Sequence, residues 1–544
     1  MRRKKLLFYI LLIVSVSKGA ALTDSIKLSE FASPSMRWRP VPLWFWNNTE
    51  VKEDSLLVQL DSILTKDCYG GCAILPFGKS FGPAYLSKEY FRLYGKVIKA
   101  IKQRGAKMSL YDEYGFPSGS MGAINGSGET IFKNNHPGKT IRRLDKVEYA
   151  TISDTLFHCE LNVKGTIMSV VAMEMQTKKI VSLREKLVGN ILTWNVPPKG
   201  EWKVMAFVCV EDGDPNVNYL SPEAVKLFVQ DTHEAYYKNF PEAFGSVITT
   251  TFFDEPTMYR AQGRMWTDDF NDKFMFRFGF SPEVLYPALW YDIGPYTAVA
   301  RNYLFGMRAS LYAEGFMKTI DDWAEAHGII STGHQDQEEV VNPVSVSGDL
   351  MLDGKYMGMP GIDKIGGNRP AEDFYKVVSS SANNWDKTYV MSETYGDMGN
   401  ISIERMYNIA IEQYTKRINQ LIPHAVWYNN ADVWFLPELS YRNSRYNSLL
   451  ADFNRFLSRL NYMLARTGRH VADVAMIYPI NTLQAGHYFD GPEGFYKGGV
   501  NIPDVDYNMV SRMLTDNLGI DFTYIHPEVM DDRCSVDHQR LVMK

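Results

Sequence analysis

Two adjacent carboxylates follow an apolar run near the middle of the chain. The stretch VITTTFFDEPTMY, residues 247–259, carries β-branched and aromatic residues up to Asp254 and Glu255, and Pro256 follows at once. Such a run is typical of a buried strand, and the two acids would stand at its end. Because desolvating a carboxylate is costly, two acids at this position indicate a functional role.

Polar and aromatic side chains also follow the other apolar runs. They are acids, amides and aromatics with little Lys or Arg among them, at Trp46-Asn47-Asn48, Asp112-Glu113-Tyr114, His334-Gln335-Asp336, Glu393-Thr394-Tyr395 and Trp427-Tyr428-Asn429-Asn430. These residue types suit glycosidic-bond cleavage, in which one carboxylic acid protonates the leaving oxygen and a second carboxylate activates water or attacks the anomeric carbon. Glu255 and Glu393 are the strongest candidates, because both terminate strongly apolar strands.

The two glutamates are predicted to have different roles. The apolar TTTFF before Glu255 would desolvate that carboxyl and raise its pKa, as a general acid requires, and an ionised Asp254 would raise it further. Glu393 is then the predicted base, or the nucleophile if the reaction retains configuration. Asp254 is predicted to point to the opposite side from Glu255, because successive side chains alternate along a strand.

Substrate contacts are predicted at the remaining strand ends. Trp46 and Trp427 would stack on sugar rings, since each lies beside an amide that could hold hydroxyls; the alternative is that both are core residues. His334 is predicted as a hydrogen-bond donor to the substrate, with a core histidine and a metal ligand beside Asp336 as alternatives, although a metal site needs at least three ligands. The other predicted contacts are Asn47, Asp112, Glu113, Asp254, Tyr395 and Asn429.

Short strands and amphipathic helices alternate around these positions. Eight apolar runs are predicted as strands, at 41–46, 70–77, 106–115, 246–253, 328–334, 348–353, 388–393 and 424–430. Eight such strands favour a (β/α)8 TIM-type barrel over a doubly wound α/β sheet, and no Gly-rich phosphate loop follows any of them. A barrel carries its active site at the carboxyl ends of its strands, which is where the polar residues stand.

The chain divides into five predicted parts. Residues 1–21, with a basic start, an apolar core and then small residues, are predicted as a signal peptide of a secreted or periplasmic bacterial protein, with no membrane span after its removal. Residues 38–139 would carry barrel strands 1–3, and residues 213–470 strands 4–8. The alternating segment 140–212 is predicted as an inserted β-sandwich that could be excised. Residues 471–544 are predicted as an incomplete α/β domain of the βαβ, flavodoxin-like kind, in a chain cut from a longer protein.

Composition argues against a nucleic-acid partner. The 544 residues carry a net charge of −5, which gives no basic field to attract nucleic acid. Aromatic residues make up 13%, which is compatible with a cleft that stacks sugars. The five cysteines are too few and too scattered for a disulfide framework.

Several of these stretches resemble the α-L-rhamnosidase-like proteins of glycoside hydrolase family 106. They lie in the family's order between about residues 38 and 480, and are PLWFWNN, LYDEYGFPSG, FFDEP, WTDDF, STGH, MPGIDKIGG, SETYG and ADVAMIYPI. The resemblance implies a barrel with accessory β-domains, secretion, and an inverting mechanism with two glutamates, which fall on Glu255 of FFDEP and Glu393 of SETYG. It implies no required cofactor, although a calcium ion near the site occurs in similar rhamnosidases.

The sequence therefore predicts a secreted glycoside hydrolase that removes a terminal sugar, rhamnose or another neutral or deoxy sugar, from an oligosaccharide or polysaccharide. One alternative is a catalytically silent glycan-binding protein on the same barrel, which would not need Glu255 and Glu393 together. Another is a metal-dependent barrel isomerase or lyase, which would depend on His334 and Asp336.

Overall fold

The computed structural model describes residues 26–544, except 368, 467–469, 493, 495–497, 503–504 and 539. The predicted signal peptide, residues 1–21, lies outside the described residues. Within the described ranges, no helix combines the length and the apolar character that crossing a membrane requires.

Helices and strands alternate through most of the described chain. The helices are α1 (Leu28–Ala32), α2 (Glu53–Thr65), α3 (Lys88–Arg104), α4 (Ile131–Asn135), α5 (Pro222–Asp231), α6 (His233–Asn239), α7 (Phe270–Phe278), α8 (Thr297–Tyr312), α9 (Lys318–Ala326), α10 (Leu350–Lys355), α11 (Tyr375–Asn384), α12 (Ile403–Thr415), α13 (Leu450–Arg466), α14 (Ile480–Gly486), α15 (Tyr507–Arg512) and α16 (Pro527–Arg533). The strands are β1 (Leu43–Asn47), β2 (Gly71–Phe77), β3 (Lys107–Tyr111), β4 (Arg142–Ala150), β5 (Leu156–Glu160), β6 (Thr166–Glu174), β7 (Ile180–Ser182), β8 (Leu187–Val188), β9 (Ile191–Asn195), β10 (Trp202–Glu211), β11 (Ile248–Asp254), β12 (Met265–Trp266), β13 (Ile330–His334), β14 (Gly361–Lys364), β15 (Met391–Thr394), β16 (Gln420–Pro423), β17 (Val426–Trp427), β18 (Val474–Ile477), β19 (Phe522–Ile525), β20 (Cys534–Asp537) and β21 (Arg540–Met543).

Helix α3 shows how local sequence sets these elements. The Ser87 side chain accepts a hydrogen bond from the Tyr90 backbone N–H at its start, and Gly105, with φ 66°, ends it in the left-handed conformation. Its buried residues include Leu93, Val97 and Ile101, four apart, so one face packs against the sheet. The helix thereby leads the chain from β2 back to the start of the parallel strand β3.

Parallel strands form two sheets in this mixed α/β fold. One has six strands in the order β13-β11-β3-β2-β1-β17, and the other has three in the order β14-β15-β16. A parallel bridge between Thr332 and Met359 links the end of the first sheet to the residues just before β14. One core cluster draws residues from both sheets, including Phe45, Phe252 and Met391. The two sheets therefore share an interior.

Seven of the eight predicted strands coincide with parallel strands, and the sixth prediction is wrong. Residues 348–353 contribute to α10, whose first turn is capped by the Asp349 side chain accepting a hydrogen bond from the Leu352 N–H at 3.1 Å. The parallel strand at this place is β14, later in the chain. A short apolar run such as GDLMLD suits a helical turn and a strand equally well, and here the cap decides.

Side chains of β1 alternate between two cores. Phe45 belongs to the interior shared by the two parallel sheets. Trp44 and Trp46 belong to a different core, together with Leu60 of α2 and Val97 of α3. Because successive strand residues face opposite sides, Trp46 packs against helices.

Residues 142–211, with the short strand β12, form two antiparallel sheets. The larger has the order β12-β4-β10-β6-β7 and the smaller β5-β9-β8. The two sheets share a core that includes Val170, Leu192 and Val204. The other face of the larger sheet, including Phe207, packs in a second core with residues such as Tyr286 from later in the chain.

Strand pairing across the end of the segment argues against the prediction that residues 140–212 can be excised, which stays a prediction. Strand β12, which closes one edge of the larger sheet, comes from beyond β11 and pairs with β4. Excision would leave β12 without a partner and uncover an apolar core, at a cost of about 25 cal/mol for each Å² of apolar surface exposed.

The last described segment contains a βαβ unit. Strands β18 and β19 pair in parallel, with α14 and α15 between them in sequence, and β20 and β21 form an antiparallel pair. Tyr478 and Phe522 pack in one core with Tyr375 of α11. The unit thus packs against the helices that flank β14 and β15.

Candidate active site

Side chains from four parallel strands and one loop meet in a small cleft. The cleft has a volume of about 50 Å³, and Phe116 and Phe435 line it beside the polar groups. Six polar groups come from the carboxyl ends of β11, β13, β14 and β15 and from the residue after β16, and are Asp254, Glu255, His334, Asp363, Glu393 and His424; the exposed Asp397 also lines the cleft. A space of this size holds a water molecule beside the acids.

His334 is shared between two of these acids. Its Nε2 lies 3.0 Å from Glu393 Oε2 and 3.1 Å from Asp254 Oδ1. Its Nδ1 lies 3.0 Å from the Gln335 carbonyl oxygen and 3.5 Å from Glu338 Oε1. Since both nitrogens face only acceptors, both carry protons. Burial acts to lower the pKa of His334, but its bonds to Asp254, Glu338 and Glu393 raise that pKa well above its usual value.

Glu393 is held by two histidines. Besides His334 at Oε2, His424 Nδ1 lies 2.8 Å from Glu393 Oε1. Burial acts to raise the pKa of Glu393, but the hydrogen bonds from His334 and His424 outweigh it and lower the pKa to about 2. An added Cβ on Gly396 would stand 3.1 Å from His424 Nδ1, so a glycine here lets the loop pack closely on the imidazole. Glu393 is therefore an ionised carboxylate.

Glu255 has the opposite electrostatic setting. Burial, and then the charges of Asp336 and Asp254, raise the pKa of Glu255 well above its usual range. Its backbone is left-handed, with φ 53°, and strand β11 ends one residue earlier. Alternation therefore stops at this point, and Asp254 and Glu255 both line the cleft. The prediction that they point to opposite sides is wrong for this reason.

Asp254 is fixed by neighbouring strands. The Tyr111 hydroxyl donates to Asp254 Oδ2 at 2.6 Å, and the Asp254 backbone N–H donates to Ser118 Oγ at 2.9 Å. Burial and the charge of Glu393 raise the pKa of Asp254, while the bond from His334 acts against them. Asp254 is thus a second acid beside the same imidazolium.

The structure does not place His334 and Asp336 together as a pair of metal ligands. Asp336 Oδ1 lies 3.1 Å from an Arg369 guanidinium nitrogen and its other oxygen accepts from the Tyr259 hydroxyl. Within the described residues, the group with metal-ligand geometry is instead Asp254, His334 and Glu393, whose ligand atoms lie within 4.8 Å of one another.

Trp46 and Trp427 are core residues. Both side chains have 0% exposure. Trp427 stacks on Phe45 with ring centroids 4.1 Å apart, and Trp46 makes an edge contact with Trp44. No face of either indole is open to a sugar, so the predicted stacking is wrong and the core alternative holds.

Other predicted contacts tie loops together. Asn47 Nδ2 donates to the Asn429 and Asp432 carbonyls at 3.1 and 2.8 Å, and Asn429 N–H donates back to Asn47 Oδ1 at 3.0 Å. Tyr395 is fully buried, and its hydroxyl donates to the Met406 carbonyl at 3.0 Å. The side chains of Asn47 and Tyr395 therefore hold the loops after β17 and β15 and do not face the cleft.

Asp112 and Glu113 anchor the loop after β3. Glu113 accepts hydrogen bonds from four backbone N–H groups at 2.8–2.9 Å, those of Tyr114, Gly119, Ser120 and Met121. Asp112 accepts from Ser118 Oγ at 2.6 Å, and Ser118 in turn holds the backbone of Asp254. Neither acid lines the cleft, so both act on it through the loop.

A family model matches a large part of this chain. The model of the family described as alpha-L-rhamnosidase, glycoside hydrolase family 106, matches residues 141–496, more than half of the chain. The chain belongs to this family. No curated protein matches this family 106 chain.

Solved structures similar to this family 106 chain include a rhamnosidase. The chain resembles the rhamnosidase from Novosphingobium sp. PP1Y at 12% identity and a TM-score of 0.66, over 95% of this chain and 66% of that one. It thus spans about two thirds of the length of that rhamnosidase. A beta-galactosidase from the psychrophilic Marinomonas ef1 aligns at 9% identity and a TM-score of 0.49, over 89% of this chain and 70% of that one. At such identities the likeness concerns the fold.

Sequence reasoning missed His424 and Asp363 in this family 106 chain. Residues 424–430 were predicted to begin a strand with His424, but the preceding strand β16 ends at Pro423, which puts His424 at a strand end. Asp363 lies on β14, the strand that was assigned to 348–353. In both cases the sequence analysis placed the strand wrongly. With the correct strand boundaries, each residue would have stood at or near a strand end, where the other candidates were found.

Proposed function

We propose that this chain is a secreted, exo-acting glycoside hydrolase that removes a terminal rhamnose-like or other neutral or deoxy sugar from a complex glycan. One observation carries the proposal: two glutamates at the carboxyl ends of parallel strands have opposite pKa shifts. The pKa of Glu255 is raised well above its usual range, while that of Glu393 is lowered to about 2. Such a pair provides one acid and one base at the same pH.

The roles follow from these protonation states. Glu255, whose raised pKa favours the protonated form, donates its proton to the glycosidic oxygen as the bond to the anomeric carbon breaks. Glu393, ionised, takes a proton from the water that attacks that carbon from the other face, which inverts its configuration. The His334 imidazolium positions Glu393 and keeps it ionised. General acid and base catalysis contribute about 10²–10⁴-fold in rate.

The scaffold we infer is a (β/α)8 barrel made by the two parallel sheets together. The core shared by Phe45, Phe252 and Met391, and the bridge from Thr332 to Met359, support it. The cluster of polar groups at the carboxyl ends of the strands supports it too, because barrels carry their active sites there.

A neutral sugar suits the charges of the cleft. Asp254, Glu255, Asp363 and Glu393 line it, and the nearby Arg369 is already paired with Asp336 and Glu339. An acidic sugar would meet repulsion there. Phe116 and Phe435 offer apolar surface to the C–H face of a sugar ring or to the methyl group of a deoxy sugar.

Two buried acids, Glu338 and Asp363, are candidate ligands of a calcium ion. Asp363 Oδ1 and Glu338 Oε2 are buried and lack hydrogen-bond partners among the described residues. Burial raises the pKa of Glu338 to about 7. Carboxylate oxygens are the ligands that calcium prefers, so Glu338 and Asp363 would supply two of the about six to eight oxygen ligands of such an ion, and its charge would compensate theirs.

Two amide variants test the assignment. Glu255→Gln should keep much of its rate on an activated aryl glycoside, whose phenolate leaves without protonation, and fail on natural linkages. Glu393→Gln should lose about a thousandfold or more on both substrates, because attack on the anomeric carbon is needed whatever the leaving group. Release of free monosaccharide is measured for both.

Asp397→Asn serves as the matched control, since Asp397 lines the cleft but is exposed. It should retain most activity on both substrates. The role assignment is wrong if Glu255→Gln is as inactive on the activated glycoside as Glu393→Gln, or if the pattern is reversed. A wild-type protein that binds glycans and releases no sugar would favour the silent glycan-binding alternative.

A further inference from the structure

A second, much larger cavity lies between helix α8 and helix α14. Its volume is about 650 Å³, within the range of small-molecule binding sites, and no residue lines both it and the acidic cleft. Tyr303, Gly306 and Ser310 of α8 form one wall, and Asn481 and Gln484 of α14 form the other. Residues of α7, α10 and α16 complete the lining, with Asp349 and His526 just before α10 and α16.

Three uncharged polar side chains that line this cavity have no hydrogen-bond partner among the described residues. Gln484 is only 4% exposed, yet its carboxamide makes no hydrogen bond with any described residue. Its Oε1 lies against Gly306, where an added Cβ would stand 3.2 Å away, so the glycine keeps the space beside the amide open. The Asn481 carboxamide, which is exposed, and the half-buried Ser310 hydroxyl line the same cavity and are open to solvent. A buried amide without a partner is costly, which indicates that a ligand or water completes it.

An aromatic ring stands at the edge of the same cavity. Tyr303 is 36% exposed, and its ring meets Phe278 edge-on, with centroids 4.9 Å apart and an interplanar angle of 80°. Phe280 contacts the same ring edge-on at 5.4 Å. These contacts fix the Tyr303 ring while leaving part of it open. A rigid ring beside free amides and a hydroxyl is the combination that a sugar requires, with C–H groups on the ring and hydroxyls on the amides.

The charges in the cavity indicate an uncharged ligand. Arg277 pairs with Glu314 at 2.6 Å, and His526 pairs with Asp349 at 2.9 Å. The remaining charged lining residue, Glu528, pairs with Lys355. Because every charged side chain of the lining already has a counterion, a charged ligand would gain no free ion pair there.

From these observations we infer that the cavity between α8 and α14 is a second carbohydrate-binding site, which holds a neutral stretch of glycan away from the acidic cleft. Gln484, Asn481 and Ser310 bind hydroxyls, and Tyr303 packs on a ring. The role of the site rests on the proposed function, since the glycan held is the one whose end enters the cleft. Two linked sites raise the affinity for a polymer without changing turnover of a small glycoside.

Affinity electrophoresis of the full chain carrying Glu393→Gln tests the site directly, because that variant does not consume the polymer. The gels contain galactan, arabinan or galactomannan as neutral probes and polygalacturonate as the acidic comparison. We expect retardation by at least one neutral polymer, and retardation that persists with saturating L-rhamnose, the proposed competitor for the acidic cleft. Gln484→Leu and Tyr303→Ala, each added to Glu393→Gln, should weaken binding roughly tenfold through a lost hydrogen-bonding amide or a lost ring.

Tyr296→Ala is the matched control, because Tyr296 precedes α8, is 71% exposed and does not line the cavity. It should leave the retardation unchanged. In the otherwise wild-type chain, Tyr303→Ala should raise KM for the polymer and leave kcat/KM for an aryl glycoside unchanged.

The inference is overturned if no neutral polymer retards the protein, if L-rhamnose abolishes the retardation, or if Gln484→Leu and Tyr303→Ala, both folded by circular dichroism, bind like the parent. Retardation by polygalacturonate alone also overturns it. A chain that releases no sugar but shows the expected retardation would contradict the proposed function and leave this second site standing.

Discussion

The strand ends around Glu255 and Glu393 and those around Trp46 and Trp427 carry similar residue types in the sequence and very different surroundings in the structure. At the first, acids and histidines contact one another across a cleft. At the second, indoles pack in cores and an amide, Asn47, holds a loop. The difference shows that a polar strand end marks a site only when its side chains turn toward open space.

Parity along the strand explains part of this difference. Trp46 is one residue from Phe45 and so faces the helices, whereas Phe45 faces the shared interior. Trp427 does face that interior, but Phe45 stacks on it and fills the space. At Glu255 the left-handed backbone breaks the alternation and turns a second acid into the cleft.

The largest effect on stability is expected at Trp427, on the aromatic side of the comparison. Trp427→Ala should destabilise the protein by about 3–5 kcal/mol, because it leaves a cavity in a closely packed core. Chemical denaturation measures the change in the free energy of unfolding. Trp434→Ala is the control, since Trp434 is 52% exposed and should cost far less. Weakened substrate binding with unchanged stability in Trp427→Ala would restore the stacking interpretation.

A smaller effect is expected when His424, which contacts Glu393, is replaced. His424→Phe removes the donor at Glu393 Oε1, so the pKa of Glu393 should rise from about 2 toward its ordinary value. If Glu393 is the proposed base it must be ionised, so the acidic limb of the kcat/KM profile should move to higher pH, with a rate near pH 4 lower by up to about fourfold.

Stability should shift in the same direction in that variant. A carboxylate whose folded pKa is lowered contributes stability above its unfolded pKa, and that stability is lost as pH falls toward about 2. His424→Phe should therefore unfold at a higher pH during acid titration. His424→Asn, which keeps a donor, should recover part of both effects; an acidic limb that does not move in His424→Phe would contradict this role.

The smallest expected effect concerns the unpartnered acids next to the cleft. If Glu338 and Asp363 hold calcium, the ion at ten times its Kd should add about 1.4 kcal/mol of stability through its preference for the folded state. Thermal melting with calcium and then with a chelator measures it, and Asp363→Asn should abolish the gain. A melting temperature that does not change with calcium would contradict the calcium site. Loss of all activity to the chelator would favour the metal-dependent isomerase or lyase.

Much of the fold could be predicted from the sequence, because buried parallel strands separated by amphipathic helices leave a strong pattern. The sequence could not show which side chains of those strands face the shared interior and which face the helices. Strands in such sheets are buried on both faces and therefore read as continuous apolar runs, with no alternation to show which way Trp46 points. The helix at 348–353 was missed because a short apolar run has no clear period.

The candidate site was predictable only in part. Glu255 and Glu393 stood out because acids after apolar strands are costly. The histidines that separate their pKa values come from different strands, and no spacing along the chain reveals that His334 and His424 meet at Glu393. Likewise, the hydrogen bonds that make Glu113 a loop anchor depend on a turn whose shape the sequence does not give.

The pairing of β12 with β4 has a consequence for the order in which the protein assembles on the ribosome. Strands β4 and β10 leave the ribosome before β12 is made, so until then one edge of their sheet offers unpaired backbone groups, the kind of edge that invites wrong pairing. The strand that covers this edge is made only after β11, which carries Asp254. The sheet that contains β4 and β10 thus reaches its final form only after β11 has emerged, which couples maturation of the two regions during synthesis.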